Sequence, residues 1–413
     1  MIARSARYLR QFDLNLWILS FGWFNSSMGF SISLPFISIY FYSEFGMSMT
    51  EIGVFFGALA FVRSFFQAVG GEASDRIQRR WLLVYSQYAR AVSFLAMAAS
   101  IHFHLGFWAT AAALAVNSIL GAIFQPAANA TVADILPKAQ HLDGYAITRS
   151  AGNLGWAAGP AIGGFLAGWS YAALFAVSAL MALLSGLVFH LLLRVPEATR
   201  AVDRFRLRDI LTIRDDHHLL RHAALLFLLY LVVAQLTVPF SVYSVEMAGI
   251  SKVQLGTLYT INGLLVVALQ IPVTRLLSRF TLTAQIAMGS FFYAVGYGSV
   301  GILVGYHYFA LAMVVVTIGE VIMSPPTLTL TSRLAPEGRM GRYMGVHGFV
   351  VASGWSFGPL YGGVILDHFP HTWSVAWMMI ASLALVSGAG YLWFRRCLPE
   401  AVNKARYAPP VTE

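Results

Sequence analysis

The chain has 413 residues, of which 58% are hydrophobic and only 11% charged, with a formal net charge of +9. Soluble domains carry about 25% charged residues, and a soluble chain of this size could not hide so much apolar surface. The composition excludes a cytosolic enzyme, a secreted domain and a disordered chain, and leaves an integral membrane protein. A single cysteine, Cys397, excludes a disulfide framework and a cysteine-based metal site.

A membrane-spanning helix needs about 20 mostly apolar residues. Runs of this kind predict twelve spans, at 14–43, 50–70, 82–102, 106–131, 145–168, 171–194, 222–246, 253–274, 283–304, 307–331, 343–366 and 373–394. The runs are long and do not alternate, unlike the ~10-residue strands of a membrane β-barrel. The start carries Arg4, Arg7 and Arg10 and then enters a long apolar stretch. The apolar region of a signal peptide spans only about 7–15 residues, so Leu14–Tyr42 reads as a retained first helix.

Basic residues set the orientation. Placed with the N-terminus inside, 24 of the 27 Lys and Arg fall on the cytoplasmic face, only Lys252 falls on the opposite face, and Arg63 and Arg90 fall within spans. Positive charge is retained on the cytoplasmic side, which predicts a multi-pass inner-membrane protein with both termini cytoplasmic. A basic rim facing anionic lipid accounts for the net charge without nucleic acid.

The longest polar segment, 195–221, divides the chain into a six-helix half at 1–194 and a second at 222–413, the latter ending in a short cytoplasmic tail. An internal repeat supports this division. Gly155-Trp156-Ala157-Ala158-Gly159-Pro160 in span 5 matches Gly354-Trp355-Ser356-Phe357-Gly358-Pro359 in span 11, at an offset of 199. The same offset carries Gly163-Gly164 onto Gly362-Gly363, Pro126 onto Pro325 and Pro137 onto Pro336. Parallel repeats are a transporter architecture that holds substrate between the halves. Glycine at every fourth position lets helices approach closely, and proline loosens the helix it interrupts. Gly155, Gly159, Pro160, Gly354, Gly358 and Pro359 are therefore expected to mark helices that flex as the halves rock.

The segment after span 2, Gly70-Gly71-Glu72-Ala73-Ser74-Asp75-Arg76-Ile77-Gln78-Arg79-Arg80, resembles the signature loop of the major facilitator superfamily. Gly71, Asp75, Arg76, Arg79 and Arg80 match it, whereas Gln78 stands where the pattern usually has Gly. The resemblance implies an all-α fold of two pseudo-symmetric six-helix bundles, in which this loop locks the halves on the cytoplasmic side. Span 5 also resembles the Gly-x-x-x-Gly-Pro-x-x-Gly-Gly motif of the twelve-span drug:proton antiporters, which implies export. Those antiporters usually carry an Arg in span 4, four residues before a Gly. Here the corresponding pair is Asn117 and Gly121, so that relay residue cannot be carried over.

Three charge pairs emerge at the repeat offset: Asp134 with Arg333, Lys138 with Glu337, and Asp143 with Arg342. They are expected to form a cytoplasmic gate if the loops meet when the inner side closes. Within the membrane Glu320 stands out, about halfway along span 10. A charged carboxylate there is costly, so Glu320 is the expected proton carrier, or else the ligand of a cationic substrate. Arg63 and Arg90 read as a structural polar network. Asn25, Asn117, Gln235 and, in span 8, Asn262 are candidate cavity-wall residues; the resemblance implies that spans 1, 4, 7 and 10 line the cavity, and Asn25, Asn117, Gln235 and Glu320 lie on those spans. Gln125 and Gln270 are further polar positions, and Tyr40, Trp156, Tyr230 and Trp355 are aromatic ones that would suit a flat or cationic ligand.

The sequence has no Walker loop and no histidine cluster with acidic partners at metal-ligand spacing. His102, His104, His217, His218 and His222 read as solvated. The reading that results is a monomeric secondary transporter, not an enzyme, with no cofactor or metal. Its partners would be a small-molecule substrate, protons and the bilayer. It would export lipophilic or cationic molecules in exchange for protons; the alternatives are a carrier for one metabolite, peptide or lipid, and a non-transporting receptor or sensor.

Overall fold

The computed structural model describes residues 12–137, 140–195, 216–336 and 339–404. Among them the chain is almost wholly helical, and the sole β-type pairing is an isolated bridge between Thr281 and Lys404. The long helices are α1 (Leu14–Phe45), α2 (Met49–Arg76), α3 (Arg79–His102), α4 (Phe107–Ile135), α5 (His141–Trp169), α6 (Tyr171–Leu192) and α7 (His217–Val233), followed by α8 (Lys252–Leu277), α9 (Leu282–Val300), α10 (Tyr306–Leu334), α11 (Met340–His368) and α12 (Trp373–Phe394). Each falls on one of the predicted apolar runs.

Among the described residues eight segments are long and apolar enough by themselves to cross a membrane; α1, α3, α5 and α9 are the others. Ser20, Asn25, Ser26, Ser31, Ser33 and Ser38 of α1 are all buried, which is where a polar side chain belongs in a helix that faces other helices rather than lipid. Large apolar side chains such as Phe61, Trp108, Phe165 and Leu191 stand exposed, as suits contact with acyl chains.

Three expectations are corrected in detail. Span 7 is not one continuous helix. After Val233 the chain passes through a 3-10 turn (Ala234–Leu236), a helical turn (Pro239–Val242) and a π turn (Tyr243–Met247). Pro239 has no N–H to give the carbonyl of residue 235, so the ladder fails there. The segment read as a signature loop is mostly helix: α2 runs through Arg76 and α3 begins at Arg79, leaving Ile77 and Gln78 to turn the chain. Gln78 has φ −55° and ψ 115°, a conformation open to any residue, so no glycine is needed where it stands. Residues 217–221, read as linker, are the first turn of α7, because Asp216 caps that helix by accepting from the His218 and Leu219 amides at 2.9 and 3.0 Å.

The chain divides into two compact units. The first comprises Met1–Phe45, Phe61–Asp203 and Ser251–Gly263; the second comprises Gly46–Ala60, Arg204–Ile250 and Leu264–Glu413. In the first, α5 lies against α1 along its glycines. A Cβ on Gly155 would stand 2.9 Å from the Met28 amide nitrogen, and one on Gly159 2.8 Å from that of Ile32. On its other face Gly164 faces Gly256 of α8. In the second unit α11 repeats this. A Cβ on Gly358 would stand 2.9 Å from the Leu231 carbonyl of α7, and Gly363 faces Met49 of α2.

The helices received on these second faces also match one another, but at an offset of 203. Both begin with a reciprocal cap. Ser48 and Glu51 exchange backbone-to-side-chain bonds of 2.8 and 3.1 Å, and Ser251 and Gln254 do the same at 2.9 and 3.1 Å. Gly46 and Gly249, with φ of 61° and 71°, precede them as chain-reversing residues. Gly53 and Gly256 then approach the carbonyls of Pro359 and Pro160.

These contacts predict that Gly358→Leu lowers the thermal unfolding midpoint of the detergent-solubilised protein by about 3–10 °C, the scale of overpacking a full interface. Gly348→Leu, on the same helix with open space around its Cβ position, should shift it by less than about 2 °C. Equal shifts would refute the close-approach account.

Candidate functional site

In the second unit Glu320 lies midway along α10, half-buried, five residues before the pair Pro325–Pro326. Pro325 leaves the Val321 carbonyl without its helical donor. Gln270 of α8 fills that vacancy, its Nε2 donating to the Val321 carbonyl at 3.2 Å. Glu320 contributes to the electrostatic environment of Tyr230 on α7 and Tyr293 on α9.

Farther along the same unit lies a network that sequence reasoning missed. His222, read as solvated, is 1% exposed. Its Nδ1 is 3.0 Å from the Tyr391 hydroxyl, and its Nε2 is 2.9 Å from Thr331 Oγ1, which is also 2.9 Å from His347 Nδ1. Thr331 donates its one proton to the Thr327 carbonyl at 3.0 Å. The tautomers that satisfy this network donate from both imidazoles to Thr331 and leave His222 Nδ1 to accept from Tyr391. The signal in the sequence was the position of His222 on the polar-lined face of an apolar run. Spacing alone could not show that Thr331, His347 and Tyr391 converge on it.

The remaining predicted residues find partners inside their own units. Gln235 is fully buried, donating to the Leu231 and Gly358 carbonyls at 2.6 and 2.8 Å, so it ties the break in α7 to the glycine face of α11. Asn25 is buried and donates to the Phe21 carbonyl at 2.9 Å. Asn117 is buried and donates to Ser93 Oγ at 2.8 Å and to the Arg90 carbonyl at 3.3 Å. Asn262 is half-buried on α8, and Gln125 is exposed on α4. Of the aromatics, Tyr40 is buried beside Tyr171 at 4.9 Å between ring centres, and Trp156 meets Phe30 edge-on at 5.9 Å.

Of the expected gate, Asp134 pairs with Arg79 of α3, and Arg333 donates to the Val402 and Lys404 carbonyls. Asp143 sits in the first turn of α5, where a carboxylate favours the helix dipole, and Arg342 lies in the first turn of α11. Lys138 and Glu337 lie outside the described residues. Gly71, Asp75 and Arg76 occupy the last turns of α2, and Arg80 donates to the His190 carbonyl at 2.6 Å.

Arg63 and Arg90 do come together, but not in a network with acids. Both guanidiniums stand over the Phe30 ring of α1, at 5.7 and 5.9 Å from its centre. Gly121 of α4 leaves room for Arg90, whose Cζ would be 3.8 Å from a Cβ there.

Taken together, the units are those of a multi-pass helical membrane protein that keeps its polar groups between helices. The chain belongs to the Major Facilitator Superfamily, whose family model matches residues 19–359, and is a transporter by that membership, not an enzyme. The multidrug resistance protein MdtH of Shigella boydii is 23% identical over 370 residues, covering 89% of this chain and 90% of its own. A Na(+), Li(+), K(+)/H(+) antiporter of Planococcus maritimus is 22% identical over 424 residues, covering 93% of this chain and 96% of its own. The crystal structure of the nucleoside transporter NupG superposes with a TM-score of 0.78 at 13% identity, over 93% of this chain and 100% of that one.

Two outcomes are expected from this geometry. Tyr391→Phe leaves His222 Nδ1 buried without a donor, a loss of about 1–3 kcal/mol, and should lower the unfolding midpoint, whereas Tyr361→Phe, whose hydroxyl donates to an exposed turn of α12, should not. Asp216 gives a pH signature. Burial pushes its carboxyl up, but the Tyr343 hydroxyl, the Leu219 and His218 amides and the His218 charge outweigh this and hold it below its ordinary value of 3.8. The stability Asp216 contributes is thus fully present above that value and lost as pH falls through the lower folded one. The midpoint difference between wild type and Asp216→Asn should hold constant above about pH 5 and narrow in acid.

Proposed function

We propose that this protein is a proton-coupled exporter of lipophilic or cationic small molecules, working by alternating access across the inner membrane with Glu320 as the coupling residue. It would act as a monomer of two six-helix bundles joined by a cytoplasmic linker, the second bundle opening with α7 at His217, with both termini on the cytoplasmic side. The proton gradient would supply the energy without a cofactor.

The observation that carries this reading is the placement of Glu320. It is an acid midway along an apolar helix, half-buried and five residues before a proline pair. Burial disfavours the ionised carboxylate unless charge or hydrogen bonds compensate, so exchange of a proton for a substrate is the chemistry available there. The proline pair just beyond it and the caught Val321 carbonyl give α10 a point at which to bend. The resemblance to MdtH and to a cation/proton antiporter agrees with this direction and coupling.

The test is dissipation of an imposed pH gradient in inverted membrane vesicles on adding lipophilic cations and neutral drugs. Proton release by several unrelated compounds, absent with Glu320→Gln, is the expected result. Silence across the panel, or an unaltered response in the Gln variant, would overturn it and favour a carrier for one metabolite, peptide or lipid.

A further inference from the structure

The first unit holds two cations within its membrane-spanning helices. Arg90 is 4% exposed, and Arg63 is half-buried on α2. Among the described residues neither guanidinium has a carboxylate within ion-pair distance, and Asp134 of α4 is paired with Arg79. Arg90 Nη1 donates to Ser26 Oγ at 2.6 Å, while its buried Nε has no hydrogen-bond partner. Arg63 has only the Phe30 ring.

Burying a charge without a partner is costly, and burying two like charges side by side costs more. Cation–π contact returns only about 0.5–2 kcal/mol. Such an arrangement persists when a counter-ion completes it. Its surroundings describe that ion. Phe30 lies under both guanidiniums, Phe94 is 5.7 Å from Arg90, and Trp156 stands edge-on to Phe30. On the remaining side Gly121 presents no side chain to Arg90. Asn117, held by Ser93, keeps its Oδ1 buried and unpartnered, an acceptor for a ligand hydroxyl or ammonium.

We infer that Arg63, Arg90 and Phe30 form a binding site for small organic carboxylates with an apolar or aromatic body. The carboxylate would take the open guanidinium donors, and the body would lie against Phe30, Phe94 and Trp156. This goes beyond the coupling role of Glu320 and assigns a ligand class to the other unit.

The test is binding of radiolabelled benzoate to the purified full-length protein in detergent, with no pH gradient imposed, so that it does not depend on proton coupling. Saturable binding is expected, competed by unlabelled benzoate and not by benzyl alcohol. Arg63→Gln and Arg90→Gln should each weaken it at least ~10-fold, and Arg90→Lys should do so less, since it keeps the charge and loses the planar fork. If Arg90→Gln does not fold, Arg63→Gln decides, because its one contact is an aromatic ring. Absence of saturable binding, unchanged affinity in Arg63→Gln, or equal competition by benzyl alcohol would overturn the inference. Displacement by chloride or phosphate at the same concentration as benzoate would overturn the organic class and mark an inorganic-anion site.

Discussion

Helices α5 and α11 lay faces of glycine against their neighbours, and the rest of each unit is arranged around that fact. In lipid there is no hydrophobic drive for apolar helices to associate, so close backbone approach supplies the packing energy. Glycine at three successive turns of α5 admits α1, and at the equivalent turns of α11 it admits α7. A second glycine face on each receives α8 or α2. Pro160 and Pro359 sit between the two faces, and their carbonyls are the atoms approached by Gly256 and Gly53. The same residues that loosen the helix thus provide its tightest contacts.

Close approach also decides where polar groups go. A backbone carbonyl freed by proline or by a helix break must be satisfied inside the bundle. Gln270 satisfies Val321, while Gln235 and Ser31 donate across helices to the Gly358 and Gly155 carbonyls. Asn25, Asn117, Gln235 and Gln270, which composition marks as cavity candidates, each donate to a backbone carbonyl in the structure. The exceptions are the charged groups. Glu320 in one unit, and Arg63 and Arg90 in the other, are the charged groups set within apolar spans, and transport chemistry is assigned to them for that reason. The missing span-4 arginine is matched by a cation from the next helix. Arg90 of α3 lies against Gly121 of α4, with Asn117 holding its backbone.

The repeat shows how far one offset can be read. At 199 it aligned spans 5 and 11 and the prolines of spans 4 and 10, and the structure adds Gly106 and Gly305, both at positive φ at the starts of α4 and α10. The match of α2 with α8 was hidden because four residues shift it to 203, although the caps, the turn glycines and the packing glycines all follow that second register. Residue identities there are otherwise dissimilar, since lipid-facing positions need only be apolar.

What the sequence determined by itself was whatever depends on one segment at a time. Apolar length located the helices, glycine spacing located the packing faces, and the residues of the signature segment disclosed the family. Which polar group meets which was decided only by the tertiary structure. His222 is buried because Thr331, His347 and Tyr391 arrive from three other helices. Asp134 takes Arg79, and Arg333 takes the Val402 and Lys404 carbonyls. Arg63 and Arg90 share one ring of a third helix. The physical reason is that hydrogen bonds and ion pairs act over a few ångströms, and what brings residues far apart in the chain within that range is how helices cross, which no periodicity along the chain records.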